Sequence, residues 1–335
     1  KGWLENKSNR NKKIRGEDEF IELPWNEALD IAANELKRVK AEYGNEAIFG
    51  GSYGWSSAGK FHHAQTQLHR FLNSIGGFVS SFASYSTAAA QVIIPHILGI
   101  NFLHLIFNYQ NTWPTIEENT KTLLMFGGIN PNNSNVSMGG VTKHVTESWF
   151  KKFVNKKINL INVSPQTKDA PSGSEWLPIK PGTDAAFMLG LAYVLETSNL
   201  VDRKFLKNNS TGYDKFKSYL LGNSDGIPKT PDWASKICGV NSNKIQSLAK
   251  QIFNSRTLIT VSWSLQRGQN GEQPFWMATT LAAMLGQIGL PGGGIGFGYG
   301  AIGGVGVPIK NFGGLSLPKG KNPITEFIPV SRIAD

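Results

Sequence analysis

The rhythm of apolar and polar positions changes once along the chain, and each part predicts a different kind of structure. In the first third, Leu29, Ala32, Leu36 and Val39 recur at helical spacing after Leu23-Pro24-Trp25, and Gly44 supplies a stop. Ala47-Ile48-Phe49 reads as a short buried strand delivering the Gly50-Gly51 turn. A second helix over about 59–75 carries Phe61, Ala64, Leu68, Leu72 and Ile75, closed by Gly76-Gly77. From about Thr120, apolar strands alternate with amphipathic helices. Strands are predicted at 122–126, 158–163, 176–179 and 258–262, and helices at 141–153 and 185–195. Thr230-Pro231 opens a further helix, with the cap and first-turn residues in the right order. Such alternation predicts an α/β fold with a doubly wound parallel sheet. In these sheets ligands sit beyond the carboxyl ends of the strands. The polar loops at 130–135, 164–166, 182–184 and 263–267 all follow strand candidates, so they are expected to share one rim.

With 335 residues, 40% of them hydrophobic, the chain can bury a sizeable core in one large domain or two or three smaller ones. The net charge of +10 comes from dispersed lysines and arginines without a repeated aromatic–basic pattern. A solvated basic surface explains it better than a nucleic-acid site, and an anionic cofactor or substrate explains it equally well. Cys238 is the only cysteine, so no intrachain disulfide, zinc knuckle or cysteine-ligated iron–sulfur cluster can be built from it. The most apolar run, 88–107, contains Gln91, Pro95, His96, Asn101 and His104, which makes it a poor spanning helix. No signal peptide opens the chain, and a soluble protein without stable membrane insertion is expected. His62, His63 and His69 lack the i, i+4 spacing of a helical metal pair. Gly298-Tyr299-Gly300-Ala301-Ile302-Gly303 satisfies G-x-G-x-x-G literally, but it follows a Pro-Gly-Gly-Gly turn rather than a recognisable strand. It reads as a flexible connection.

Two small-residue stretches precede helix-compatible runs and carry the candidate chemistry. One is Gly51-Ser52-Tyr53-Gly54-Trp55-Ser56-Ser57-Ala58-Gly59, and the other is Ser84-Tyr85-Ser86-Thr87-Ala88-Ala89-Ala90-Gln91. Ser86 by itself reads as an ordinary helix cap. A hydrolase nucleophile would want a G-x-S-x-G elbow, which is absent. A third role is open to it: a deprotonated serine is a hard oxygen donor for a hard, high-valent metal, and the metal itself favours the oxyanion.

Those stretches, with Pro95-His96 and Thr112-Trp113-Pro114, resemble the dimethyl sulfoxide / trimethylamine N-oxide / biotin sulfoxide reductase family of molybdopterin oxidoreductases. The similarity continues in order through 220–226, 233–240, 263–267, 271–273, 285–294 and 328–333. Family members are longer at both ends, so the chain is expected to be a central portion or a much-shortened relative. The resemblance implies a multi-domain architecture in which a doubly wound α/β domain, 116–300, is inserted into a mixed α+β domain formed by 1–115 and the returning segment 301–335. It implies a molybdenum bis(molybdopterin guanine dinucleotide) cofactor, with Ser86 as the metal ligand and Tyr53 and Trp55 donating hydrogen bonds near the metal. The matching cofactor-binding positions are Tyr53, Trp55, Asn133, Ser134, Val163, Ser164, Gly182, Thr183, Asp184, Trp263, Ser264 and Arg267.

Some of these positions depart from the family pattern. Asn133-Ser134 stands where the family often has Lys-Thr, and Ser164 stands where it has an Asp suited to a ribose diol. Ser84 and Ala88 replace an Asp and a Gly. The implied activity is two-electron, two-proton reduction of an S-oxide or N-oxide (the dimethyl sulfoxide, trimethylamine N-oxide, biotin or methionine sulfoxide class), serving electron transfer in anaerobic respiration. A cytochrome, a quinol-linked protein or a thioredoxin-like protein would be the electron donor, in the periplasm or the cytoplasm. Two other readings stay open. One is a non-catalytic guanine-dinucleotide-binding module, and the other a molybdenum dehydrogenase of the formate dehydrogenase type, which usually offers Cys or selenocysteine to the metal.

Overall fold

The run Leu123-Leu124-Met125-Phe126 has no polar side to turn to water, and the fold buries it on both faces. In the computed structural model, which describes residues 2–5, 16–52, 57, 61–137, 140–308 and 317–335, this run is the central strand of a five-stranded sheet. We label its strands β1 (Thr122–Phe126), β2 (Asn159–Val163), β3 (Glu175–Leu177), β4 (Thr257–Val261) and β5 (Gly294–Phe297). Their spatial order is β3-β2-β1-β4-β5, and every pairing is parallel. Thr122 is level with both Asn159 and Thr257, and Phe126 with both Val163 and Val261, so the three central strands end together.

Period-2 alternation divides the two faces. Leu124, Phe126, Ile161, Val163, Ile259 and Val261 face one core, with helices Asp184–Thr197, Pro231–Cys238, Ser242–Phe253 and Gln273–Met284. Leu123, Met125, Leu160 and Leu258 face a second core, completed by Trp113 and Ile116 of one helix and Phe150 and Phe153 of another. Covering both faces with crossover helices is what a parallel sheet requires. The chain is thus α/β with a parallel sheet, as the alternation predicts.

Several boundaries move. The helix expected at 141–153 is Thr146–Asn155, because Val136–Ser137 and Gly140–Val141 pair as a small antiparallel ladder first. Thr230 caps its helix as expected, accepting a bond from Trp233 N at 3.1 Å. The run 88–107 breaks into helices Ala88–Leu98 and Phe102–Asn108, bent by 82°. Their Ala90, Ile94, Phe102 and Ile106 are buried in the first core. Among the described residues, no single helix is long and apolar enough to cross a membrane. Cys238 is a free, buried thiol, pushed up in pKa chiefly by burial.

The chain divides into two compact units, and the sheet belongs to the larger, which comprises 53–64, 82–317 and 329–335. The smaller draws on 1–52, 65–81 and 318–328. In it the predicted first helix, Trp25–Tyr43, ends at Gly44, and Leu36 and Val39 pack on a small core of Ile48, Leu72 and Phe78. The predicted strand at 47–49 is reduced to a single parallel bridge between Phe49 and Val79. Asn322 then holds the returning segment: its Oδ1 accepts from Phe78 N at 3.1 Å and its Nδ2 donates to Phe78 O at 2.9 Å.

Behind the first face of the sheet, one buried carboxylate joins three helices. Glu196 accepts from Arg203 and Tyr213, at 2.9 and 2.7 Å, and pairs with Lys217 at 2.8 Å. Burial alone would raise its pKa, but these hydrogen bonds and charges pull it down to about 2. The stabilisation is therefore full above the ordinary glutamate range and is lost as pH falls through 2. Glu196→Gln is expected to cost about 2–3 kcal/mol at pH 7, less than an enclosed pair would because Arg203 and Lys217 stay partly solvated. The gap from the parent should close between about pH 4.5 and 2 in urea titrations.

Candidate functional site

The order β3-β2-β1-β4-β5 reverses direction between β1 and β4, and at such a reversal the loops leaving two neighbouring strands diverge and open a crevice. Here it is a cavity of about 730 Å³. Bonds just past the strands aim its walls: Gly127 N to Val163 O at 2.8 Å, Ser262 N to Phe126 O at 2.8 Å, and Gly298 N to Val261 O at 2.9 Å. The loop after β1 contributes Gly127, Gly128 and Asn133, and the loop after β4 contributes Ser262, Trp263, Ser264 and Arg267. The remaining wall includes Ser84, Ser86 and Thr87, at the start of the Ala88–Leu98 helix. The positive end of a helix dipole therefore borders the cleft alongside the Arg267 guanidinium.

Close backbone approach shapes this space. A Cβ on Gly128, which sits at φ +75°, would stand 2.4 Å from Asp169 O. Only glycine lets Ile129 N reach that carbonyl, at 3.0 Å. The contact brings Asp169 to the cavity wall, where its carboxylate accepts from Ser164 Oγ at 2.8 Å. Gly298 likewise admits Trp263, whose Nε1 would lie 2.1 Å from an added Cβ. That indole N–H is buried and has no hydrogen-bond partner among the described residues. A buried orphan donor beside a cleft is an uncommon arrangement in a folded protein.

A model of the molybdopterin oxidoreductase family matches residues 9–320. The chain belongs to that family. It is 44% identical, over its whole length, to the biotin sulfoxide reductase of Cereibacter sphaeroides, covering 45% of that protein. It is 42% identical to the dimethyl sulfoxide/trimethylamine N-oxide reductase of the same organism, over 89% of this chain and 36% of the relative. It is 40% identical to the trimethylamine-N-oxide reductase of Haemophilus influenzae, over 100% of this chain and 42% of the relative. The chain thus spans less than half the length of these relatives. Among solved structures, the acetylene hydratase of Pelobacter acetylenicus aligns over 79% of this chain and 33% of its own, at 21% identity and a TM-score of 0.49.

The molybdopterin oxidoreductase family implies a molybdenum–pterin cofactor, and the cleft offers what such a group needs: a hydroxyl, a guanidinium and amide side chains. Of the sequence candidates, Ser86, Asn133, Trp263, Ser264 and Arg267 line this one cavity. Tyr53 and Trp55 lie outside the described residues. Ser134, Val163, Ser164, Gly182, Thr183 and Asp184 are not on its wall. Ser134 is buried, with Oγ donating to Pro131 O at 2.7 Å and lying 2.6 Å from Thr146 Oγ1. Val163 and Ser164 are buried at the end of β2, and Ser164 meets the cleft only through Asp169. Gly182, Thr183 and Asp184 form the turn after β3 into the next helix.

Sequence reasoning missed the glycines after β1, Asp169, and residues 299–302, which also line the cavity. The G-x-G-x-x-G run, expected to be a flexible connection without a preceding strand, is neither. It does follow a strand, β5, although turns rather than a helix come after it. Tyr299, Ile302 and Val305 are buried in the second core, so its glycines serve close packing rather than flexibility.

Burial pushes the Asp184 carboxyl up to about 6. The folded state holds this proton longer than the unfolded chain, so stability falls as pH rises from about 4 to about 6 and is level above that. Asp184→Asn removes the loss. Thermal or chemical denaturation should find the variant more stable by about 2–3 kcal/mol at pH 7 and equal to the parent near pH 4.

Proposed function

We propose that the cleft between the ends of β1 and β4 binds a molybdopterin guanine dinucleotide arm of a bis(dinucleotide) molybdenum cofactor, in an enzyme that reduces an S-oxide or N-oxide. One observation carries this reading: the Ser86 loop and the Trp263–Arg267 loop, far apart in sequence, meet on one cavity wall at the switch point of a parallel sheet. Identities of 40–44% to sulfoxide and N-oxide reductases support the substrate class.

In this reading Arg267 and the nearby helix start favour the anionic diphosphate, while Asn133, Ser264 and Asp169 hydrogen-bond the nucleotide. Trp263 adds an aromatic face to the same wall. Ser86 presents its oxygen to the metal, and Thr87, not Ser86, holds the N-cap position of the following helix. When bound, the molybdenum centre supplies the two-electron chemistry that removes oxygen from the oxide. Tyr53 and Trp55 then donate O–H and N–H to the substrate oxygen, a role that rests on their place in the motif. A partner protein of the cytochrome, quinol-linked or thioredoxin-like class delivers the electrons. Cys238 is buried in the helical face rather than on the cavity wall, which favours this reading over a cysteine-ligated dehydrogenase.

Ser86→Ala tests the assignment. The molybdenum-loaded variant is expected to fold and retain the metal but to lose turnover by about 100-fold or more, since a direct metal ligand should matter more than the 10–100-fold typical of its supporting neighbours. Near-parent oxide reduction by a folded, metal-loaded Ser86→Ala protein would contradict it. Tyr53→Phe and Trp55→Phe each delete one donor and keep a ring. Each should slow turnover, by up to about 100-fold in a dry site, with cofactor content unchanged. If both match the parent on dimethyl sulfoxide, trimethylamine N-oxide and biotin sulfoxide alike, the two are packing residues.

A further inference from the structure

One side chain ties the Ser86 loop to the loop after β4, and none of the roles above uses it. Gln266 is buried, on the turn Trp263–Gln266. Its Nε2 donates to Tyr85 O at 2.9 Å, and its Oε1 accepts from Ala90 N at 3.2 Å. These two partners bracket Ser86. The first is the carbonyl immediately before it. The second is an amide in the first turn of the Ala88–Leu98 helix, where no partner exists within the helix itself. Thr87, at the N-cap, makes no side-chain cap bond. Its hydroxyl instead accepts from Gln91 Nε2 at 2.6 Å and lies 3.3 Å from Ser84 Oγ. Gln266 therefore caps this helix from a point 176 residues further along the chain.

The same turn presents Trp263 and Ser264 to the cleft, and Arg267 follows directly. The Gln266 amide thus ties the Ser86 loop to the loop that faces the ligand. An amide satisfies both partners without titrating, whereas a carboxyl does so only when protonated. A carboxylate keeps the acceptor for Ala90 N but sets an oxygen against Tyr85 O, and an aliphatic side chain leaves a buried donor and a buried acceptor unpaired.

We propose that Gln266 is a positioning residue for Ser86, setting where the Ser86 oxygen stands relative to the group held by the 263–267 loop. This rests on Ser86 being the metal ligand. Groups that orient a metal ligand tune the metal itself, so loosening the clamp acts on the coordination sphere and not on fold stability alone.

The test compares Ser86→Ala, Gln266→Leu and Gln266→Glu in the molybdenum-loaded protein. It reads the Mo(V) electron paramagnetic resonance spectrum together with kcat and KM for dimethyl sulfoxide, all normalised to metal content. Ser86→Ala is expected to replace the parent signal. Gln266→Leu should give a mixture of parent and altered signals, with kcat down about 10–100-fold and KM nearly unchanged. Gln266→Glu, which keeps one of the two bonds when ionised and both when protonated, should lie between the parent and Gln266→Leu. A parent signal in both Gln266 variants, beside a changed signal in Ser86→Ala, overturns the inference and leaves the ligand assignment standing. Slower turnover with an unchanged signal also overturns it, because that is a purely structural role. A parent signal in Ser86→Ala overturns the ligand assignment and this inference with it. Should Gln266→Leu not accumulate as folded protein, Gln266→Met, which also removes both bonds, takes its place in the comparison.

Discussion

The larger unit depends on the parallel pairing of β1 with strands on both of its edges. A parallel strand cannot be reached by a tight turn, so each neighbour is joined through a crossover that must lie on a sheet face. The central apolar run then needs cover on both sides, and it receives it: Leu124 and Phe126 face one set of helices, Leu123 and Met125 the other. Because β1, β2 and β4 end level, the outgoing loops start from one plane. Reversal of strand order at β1 and β4 then parts those loops. The cleft is a consequence of sheet topology before any particular side chain enters it.

Topology opens the space, and close backbone contacts give it a wall. Gly128 against Asp169 and Gly298 against Trp263 admit neighbours that a Cβ would exclude. Gln266 joins the turn after β4 to the start of the Ala88–Leu98 helix. The cleft is therefore lined by polar loop segments together with apolar side chains such as Leu103, Phe107 and Ile302. That construction suits a ligand that combines a flat apolar body with hydrogen-bonding groups. Among the described residues, Arg267 is the cation on the cleft wall, while Arg203 and Lys217 serve a structural carboxylate.

Much of the sheet was legible in the sequence because continuous apolar runs of strand length, such as 122–126 and 257–261, have few alternatives once helices flank them. β5 was not. Gly294-Ile295-Gly296-Phe297 has two glycines in four residues, and its extended form is supplied by pairing with β4 rather than by its own composition. The opposite holds for Ala47-Ile48-Phe49, which looks like a strand but finds a partner only at Val79. The meeting of Ser86, Trp263, Ser264 and Arg267 on one cleft wall was legible from their motifs, and Asn133 joins them although it departs from the family pattern. Asp169, Gly128 and residues 299–302 were not legible, because their approach to the cleft is decided by contacts with distant loops. Gln266 falls inside a recognised stretch, yet its two bonds run to residues about 180 positions away, and no local pattern announces them.

We propose that the molybdenum cofactor sits in the β1–β4 cleft, with Ser86 at the metal. Anomalous scattering from a crystal of the cofactor-loaded protein, recorded across the molybdenum absorption edge, tests it most directly. The account predicts one strong edge-dependent peak at the cleft within bonding distance of Ser86 Oγ, with cofactor density running along the Trp263–Arg267 wall. A molybdenum peak remote from Ser86, or cofactor density that avoids this wall, would contradict it.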